Sequence, residues 1–248
     1  MPRVGLQLWT VREECDRDLE RALRTVAAQG YDGVELFQLH GHDAQQVRAW
    51  LDAAKLVAAG RHVRVEALES ELPQLAEELR VLGTDRAAIA WIDPEELERP
   101  DEVAERVAEG ARAAREHGIR LGFHNHWTEP VARDGGESFL DLLRRLPPDL
   151  LWLELDLGWV WQAGVDPVAE LEKTAGRCPL VHAKDYRSRD GRDDVPVGEG
   201  VVGYDRVLPA ALAAGVEWLI VEEDDAGDDA FAATQRSVDA VRRIVSAA

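Results

Sequence analysis

Two histidines flank an asparagine in the segment FHNHWT, residues 123–128. They follow a short apolar run, and the whole chain of 248 residues contains only seven histidines. Because alternate residues of a β-strand point to the same side, His124 and His126 are predicted to share one face at the end of a strand. Imidazoles in such an arrangement are suited to binding a metal ion or to moving a proton.

Further titratable side chains interrupt three other apolar segments. These are Glu154 and Asp156 in LWLELDLGW (151–159), His182 and Lys184 in LVHAKD (180–185), and Glu222 in LIVEED (219–224). An ionised group in an apolar setting is costly unless it is paired or bound to a metal, so the repetition predicts a shared partner. Carboxylates and imidazoles without thiolates suit a divalent cation such as Mn²⁺, Mg²⁺, Co²⁺ or Zn²⁺.

Eight strand-like segments alternate with eight helix-like segments along the chain. The predicted strands are residues 3–9, 31–37, 57–63, 86–92, 119–126, 150–156, 179–185 and 217–224. The predicted helices are residues 18–30, 44–56, 71–83, 101–118, 137–146, 166–176, 204–215 and 229–246. Such an alternation favours an α/β fold, a (β/α)8 TIM barrel, as a single domain over residues 1–248. The alternative, a doubly wound open sheet, usually carries a glycine-rich loop after its first strand, and residues 10–18 contain no glycine.

In a barrel of this kind, the active site lies at the carboxyl ends of the strands. Asp156, His182 and Glu222 fall at the ends of the sixth, seventh and eighth predicted strands and are therefore predicted to converge on one cation. The fifth strand is expected to supply a fourth donor. The residues alone leave three choices for it, namely His124, His126 and Glu129.

Composition excludes several other functions. A formal net charge of −19 repels phosphates, so a nucleic-acid partner is not expected. No run of about 18 apolar residues and no signal-peptide core occurs, so we expect no membrane span and a cytoplasmic location. The only two cysteines, Cys15 and Cys178, are predicted to be buried thiols rather than disulfide partners or zinc ligands.

The chain resembles the xylose isomerase-like TIM barrels along its whole length, in particular the sugar phosphate isomerase/epimerase group. The segments that carry the resemblance are GLQLWTVRE (5–13), DGVELF (32–37), GFHNHW (122–127), ELDLGWVWQAGVDP (154–167), LVHAKD (180–185), VPVGEG (195–200) and WLIVEED (218–224). In ketose 3-epimerases of this superfamily, glutamate, aspartate, histidine and glutamate from strands five to eight hold a metal.

The resemblance implies a ligand set for this chain. Asp156, His182 and Glu222 match the last three ligands, and the strand-five position falls on His124, where the epimerases have glutamate. Because the two glutamates of the epimerases also move the proton, this departure argues against a symmetric two-glutamate mechanism. The histidine-rich strand five resembles that of inosose dehydratase.

The implied function is a divalent-metal-dependent sugar isomerase or epimerase that acts on a keto sugar through a metal-bound enediolate, with Mn²⁺ as the expected metal. The alternative is a metal-dependent lyase or dehydratase that acts on an inosose or a 3-keto-glycoside, because both reactions share their first step. The expected metal ligands are His124, Asp156, His182 and Glu222. The expected catalytic residues are Glu154, His126, Glu222 and Lys184. The expected substrate-binding residues are Glu35, His62, Trp91, Trp159 and Asn125.

Further expectations concern neighbouring residues and partners. Asp185 is predicted to be a structural carboxylate, and Glu223 and Asp224 are predicted to belong to a solvated acidic loop. Residues 195–202 are predicted to cover the site, with Glu199 orienting a ligand. The expected partner is a small-molecule sugar substrate, and the chain is expected to form a homodimer or tetramer.

Overall fold

Eight parallel strands form a closed barrel in the computed structural model, which describes residues 2–133, 136–189, 191 and 193–247. The strands are β1 (Arg3–Gln7), β2 (Gly33–Leu36), β3 (Val57–Val63), β4 (Arg86–Ile89), β5 (Arg120–His124), β6 (Trp152–Asp156), β7 (Leu180–Ala183) and β8 (Trp218–Val221). Each strand pairs with the next one along the chain, and β1 pairs with β8 to close the barrel. The prediction of a (β/α)8 barrel is therefore confirmed.

Helices occupy the connections between the strands. They are α1 (Arg12–Ala28), α2 (Ala44–Ala54), α3 (Ala67–Ser70), α4 (Leu72–Leu82), α5 (Pro100–Glu116), α6 (Phe139–Arg144), α7 (Leu157–Gln162), α8 (Pro167–Lys173), α9 (Tyr204–Ala213) and α10 (Ala230–Ala247). Short 3-10 turns cover Leu8–Val11 and Glu96–Glu98, and Asp185–Tyr186 pairs with Asp194–Val195 in a small antiparallel ribbon. No helix among the described residues is long and apolar enough to span a bilayer.

Local capping explains two differences from the predicted helices, namely the early start of α1 and the presence of α7, which was not predicted. The backbone of α1 breaks at Asp18, where the predicted helix begins. The side chain of Asp18 accepts a hydrogen bond from Arg21 N at 2.9 Å and so caps the second part of α1. The short helix α7 begins directly after Asp156, whose Oδ1 accepts from Trp159 N at 2.8 Å. Its apolar sequence LGWVWQ shows no helical period, which is why only the cap could have revealed it.

Tryptophans close the amino-terminal end of the barrel interior. Trp152 and Trp218 form a separate apolar cluster with Ala59, Ala88, Leu180 and Ile220. Glycines on other strands make room for the two indoles, because a Cβ at Gly33 would lie 2.7 Å from Trp218 and one at Gly122 would lie 2.4 Å from Trp152. The polar side chains of the strands converge at the opposite end of the barrel, where the carboxyl ends of the strands lie.

We expect Gly122→Ala to lower the free energy of unfolding by about 1–3 kcal/mol, because the new methyl group would overlap the rigid indole of Trp152. Urea denaturation followed by circular dichroism measures this change. Gly191→Ala is the control, since a Cβ there meets its nearest neighbour at 3.6 Å, an ordinary contact. Equal stability of the two variants would contradict the close packing of Gly122 against Trp152.

Both cysteines are free and buried, as predicted. Burial raises the pKa of each thiol to about 12, so neither is a reactive thiolate at neutral pH.

Candidate metal centre

A cavity of about 1380 Å³ opens at the carboxyl ends of the strands. Part of its wall is formed by the aromatic side chains of Trp9, Phe37, Trp91, Trp127 and Trp159. The titratable side chains of His62, His124, His126 and Glu222 also line it. A second cavity of about 940 Å³ lies at the other end of the barrel, where Arg86 pairs with Glu217 and Arg120 pairs with Asp85. These four charged side chains at the second cavity are therefore already paired with one another.

Four side chains from consecutive strands meet beneath this cavity. His124 ends β5, Asp156 ends β6, His182 lies within β7, and Glu222 directly follows β8. One potential ligand atom from each of them lies within 4.8 Å of the other three, and all four residues are buried. The structure thus brings together the set that the sequence and the resemblance indicate.

The unused lone pairs of this set fit a cation. Asp156 Oδ1 caps α7, which leaves Oδ2 buried without a hydrogen-bond partner among the described residues. His124 Nδ1 is also buried without a hydrogen bond among the described residues, and it lies 3.4 Å from Glu154 Oε2. A buried acceptor without a donor is costly, and a divalent cation would satisfy Asp156 Oδ2. His182 Nδ1 lies 2.8 Å from Glu222 Oε2, so a cation here would replace the proton that these two groups share.

Electrostatics prepare the histidines at the end of β5 for this role. Burial lowers the pKa of His124 well below its usual value and lowers that of His126 to about 3. Both imidazoles are therefore neutral at neutral pH, which is the protonation state that binds metals and accepts protons. Burial also raises the pKa of Asp156 to about 7, although the Lys184 ammonium acts in the opposite direction.

A second group of side chains adjoins the first and shares His124 and His182 with it. It adds His62 and Glu154, and its potential ligand atoms also lie within 4.8 Å of one another. His62 Nε2 lies 2.7 Å from Glu154 Oε2, and the rings of His62 and His182 are stacked with centroids 5.3 Å apart. Burial, together with the nearby Glu35 carboxylate, raises the pKa of Glu154 to about 7.

Glu35 lies below the cavity, not on its wall. It is fully buried, and its Oε2 accepts hydrogen bonds from Gln7 Nε2 at 2.8 Å and from His182 Nε2 at 2.7 Å. The predicted contact of Glu35 with substrate does not fit this position. Glu35 pairs with Gly60 of β3, two residues before His62, so it lies deeper in the barrel than His62 does.

Asn125 is also separated from the cavity. Its Oδ1 accepts from Asp156 N at 3.1 Å, and its Nδ2 donates to His126 O at 3.1 Å. It is fully buried, so the predicted contact with substrate is replaced by a structural one that ties the end of β5 to the end of β6. The alternation of side chains explains this, since the two flanking histidines face the cavity and Asn125 faces away.

Lys184 is buried among three carboxylates. Its Nζ lies 2.7 Å from Asp224 Oδ2, 3.3 Å from Glu222 Oε2 and 3.7 Å from Asp156 Oδ2. Burial lowers the pKa of Lys184, but these carboxylates outweigh it and raise the value above that of a free lysine. The ammonium is thus a fixed positive charge beside the cluster, and it does not line the cavity.

Two neighbouring segments differ from their predicted roles. The expected solvated loop is wrong for Glu223, which is buried with its Oε1 2.9 Å from Ser237 Oγ. The side chain of Asp224 is 41% exposed, and it pairs with Lys184. Residues 195–202 do not line the cavity, and Glu199 pairs with Arg236 at 3.0 Å on the surface.

Two other neighbouring carboxylates have structural roles. Asp185 accepts backbone hydrogen bonds from Gly198, Gly200 and Val202, which confirms its structural role. Glu129 accepts from His126 N at 3.1 Å and from Thr128 Oγ1 at 2.9 Å, so it shapes the loop after β5 and lies outside both groups of potential ligands.

The remaining predicted wall residues do reach the cavity. His126 packs against Trp91 with ring centroids 4.7 Å apart, and Trp91 is 42% exposed at the mouth. Trp159 lines the cavity while being almost fully buried. Sequence reasoning missed Gln7 and Trp127, and the only signal for Gln7 was an amide in the otherwise apolar segment VGLQLW (4–9).

Comparison with known proteins gives the same fold. A family model described as xylose isomerase-like TIM barrel matches residues 23–244. A sugar phosphate isomerase/epimerase from Parabacteroides distasonis ATCC 8503 is 20% identical, with a TM-score of 0.80 over 96% of this chain and 93% of that chain. A probable 3-DHS dehydratase from Bacillus anthracis is 18% identical, with a TM-score of 0.77 over 97% and 98% of the two chains. An L-ribulose 3-epimerase is 16% identical, with a TM-score of 0.74 over 100% and 95%.

None of the curated proteins has significant sequence similarity to the chain. At identities of 20% or below, the similarity to the solved structures shows the fold and not the reaction. The family match extends over most of the chain and includes every element that carries the buried cluster. The chain therefore belongs to the xylose isomerase-like TIM barrel family.

Proposed function

We propose that the chain is a divalent-metal-dependent enzyme that isomerises or epimerises a keto sugar or a sugar derivative. The observation that carries the proposal is the meeting of four buried ligand atoms, within 4.8 Å of one another, beneath a large cavity with an aromatic wall. A pocket of this kind with convergent polar groups and shifted pKa values is the expected form of an active site.

His124, Asp156, His182 and Glu222 are the residues proposed to hold the cation. When bound, a divalent cation such as Mn²⁺ supplies Lewis acidity toward a sugar carbonyl and so makes the neighbouring C–H bond more acidic. Lys184 offsets part of the negative charge of the set, since it lies within 4 Å of both carboxylate ligands. The site thereby tolerates two buried anions without losing its attraction for a cation.

Two features of the wall are suited to moving the substrate proton. His126 faces the cavity as a neutral imidazole and can accept a proton directly. On another strand, His62 faces the cavity and contacts the buried Glu154 at 2.7 Å. Glu154 itself is fully buried, so we propose that it acts through His62 and does not touch the substrate.

The tryptophans supply the surface for the sugar ring. Trp91, Trp127 and Trp159 lie on the same side as His126, with Trp127 and Trp159 rings 5.1 Å apart. Apolar ring faces beside a few oriented polar groups bind molecules that have one apolar and one polar side, such as a sugar ring. We therefore propose that the reacting ring lies between this aromatic wall and the buried cluster.

A second candidate function is a lyase or dehydratase reaction on an inosose or a 3-keto-glycoside. It is favoured by the two imidazoles of β5 and its following loop, His124 and His126, whose ring centroids are 5.0 Å apart. After the C–H proton has been removed, His126 in its protonated form could return that proton to a departing hydroxyl or aglycone oxygen. Return of the proton to carbon gives the isomerase or epimerase outcome.

The test is hydrogen exchange at carbon. We expect the protein with Mn²⁺ to exchange a C–H proton next to the carbonyl of a ketose, an inosose or a 3-keto-glucoside into D₂O, as followed by NMR. EDTA should stop the exchange without changing the far-ultraviolet circular dichroism. Exchange that persists in EDTA, or its absence with all three substrate classes, would exclude the proposed reaction.

A further inference from the structure

Glu35 is a carboxylate outside the proposed ligand set. It lies deeper in the barrel than the ligands and accepts hydrogen bonds there. Glu35 Oε2 lies 2.7 Å from His182 Nε2 and 3.2 Å from His62 Nε2. Glu35 is fully buried, and it does not line the cavity. It is therefore out of reach of a substrate and close to one proposed metal ligand.

The barrel holds this carboxylate in place from two sides. Gln7, which pairs with Glu35 in the register of β1 and β2, donates from Nε2 to Glu35 Oε2 at 2.8 Å. The amide of Gln7 is itself oriented, because its Oε1 accepts from Trp9 N at 3.2 Å. On the other side, Gly60 provides space, since a Cβ there would lie 3.0 Å from Glu35 Oε1.

The position of Glu35 determines how His182 faces the cluster. A carboxylate only accepts hydrogen bonds, so His182 Nε2 carries the proton of this contact. The other ring nitrogen, Nδ1, faces Glu222 Oε2 at 2.8 Å, and the proton that these two groups share is the one that a cation would replace. Metal-binding histidines commonly donate their second ring N–H to a carboxylate, which fixes the ring and increases its basicity.

We propose that Glu35 is a positioning residue, which holds His182 with Nδ1 directed at the cation site and thereby sets the affinity of that site. This inference rests on the proposed function, because it needs a cation bound by His182. It also bears on the second group of potential ligands, since His182 Nε2, which lies 3.6 Å from Glu154 Oε2, already donates to Glu35.

The affinity for Mn²⁺, measured by competition with a chromophoric chelator, tests this role. We expect Glu35→Leu, which removes the acceptor, to weaken binding roughly 10- to 100-fold. Glu35→Gln keeps an acceptor oxygen but loses the charge, so its affinity should lie between those of Glu35→Leu and the wild type. Gln7→Leu should cause a smaller loss, because it frees Glu35 without removing it.

Glu170→Gln is the matched control. Glu170 is another buried carboxylate, but it pairs with Arg144 and Lys173 on the outside of the barrel. It should lose stability without losing affinity for Mn²⁺. The visible absorption of bound Co²⁺ adds a second readout, because a turned His182 ring changes the ligand field whereas a merely less stable fold does not.

The outcomes separate this inference from the proposed function. If the wild type binds Mn²⁺, Asp156→Asn abolishes binding, and both Glu35 variants bind as the wild type does, then only the role of Glu35 is refuted. If the wild type binds no divalent cation, the proposed function and the role of Glu35 both fail. A graded loss from wild type to Gln to Leu, with an altered Co²⁺ spectrum, supports the proposal.

Discussion

Asp156→Asn should weaken the binding of divalent cations more than about 100-fold and abolish proton exchange, while leaving the fold intact. Replacing a residue that only orients a metal ligand already weakens metal binding about 10- to 100-fold. Asp156 is proposed to bind the cation directly, so its replacement should have a larger effect. The fold should survive because an asparagine oxygen can still accept the hydrogen bond from Trp159 N that begins α7. The substitution removes the charge of the carboxylate whose second oxygen makes no hydrogen bond among the described residues and lies 3.7 Å from Lys184 Nζ.

Isothermal titration with Mn²⁺ and circular dichroism measure these two quantities separately. Asp166→Asn is the control, because Asp166 caps α8 in the same way through Val168 N at 3.2 Å and lies outside both groups of potential ligands. If Asp156→Asn binds Mn²⁺ as tightly as Asp166→Asn does, Asp156 is not a ligand.

Lys184→Met should destabilise the metal-free protein by about 3–5 kcal/mol. The ammonium is 1% exposed and is surrounded by Asp156, Glu222 and Asp224, so its removal leaves buried negative charge without compensation. A divalent cation should restore part of the loss, because it supplies positive charge to the same carboxylates and binds the folded state alone. Added Mn²⁺ should therefore raise the melting temperature more in this variant than in the wild type.

Differential scanning calorimetry with and without Mn²⁺ checks both parts of this expectation. Lys173→Met is the control, because Lys173 is 53% exposed and its pairing with Glu170 contributes little to stability. A loss below about 1 kcal/mol in Lys184→Met, the range of an exposed ion pair, would mean that Lys184 does not neutralise the cluster.

The sequence predicted the barrel because its signals are local. Apolar strand segments alternate with helices that end on glycines, and Gly30, Gly83 and Gly118 adopt the left-handed conformation that such helix ends require. Polar residues at strand ends then give the proposed ligand set, because carboxyl ends of barrel strands share one face of the molecule. The convergence of Asp156, His182 and Glu222 could thus be predicted from the sequence alone.

The depth of a side chain within the barrel could not be predicted in the same way. Glu35 and His62 both lie near strand ends, yet His62 reaches the cavity and Glu35 lies beneath it. The difference comes from the pairing of Glu35 with Gly60, two residues before His62, and no local pattern encodes this register. Likewise, LIVEED looks like the start of a solvated loop, and only the packing of Ser237 and Lys184 shows that Glu223 and Asp224 are held.

The tryptophan cluster fills the amino-terminal end of the barrel interior below the polar side chains, and the described cavity opens at the other end. A sugar bound in that cavity as proposed would cover the proposed cation site from the solvent side. The residence time of the sugar should then limit how fast a bound ion is released.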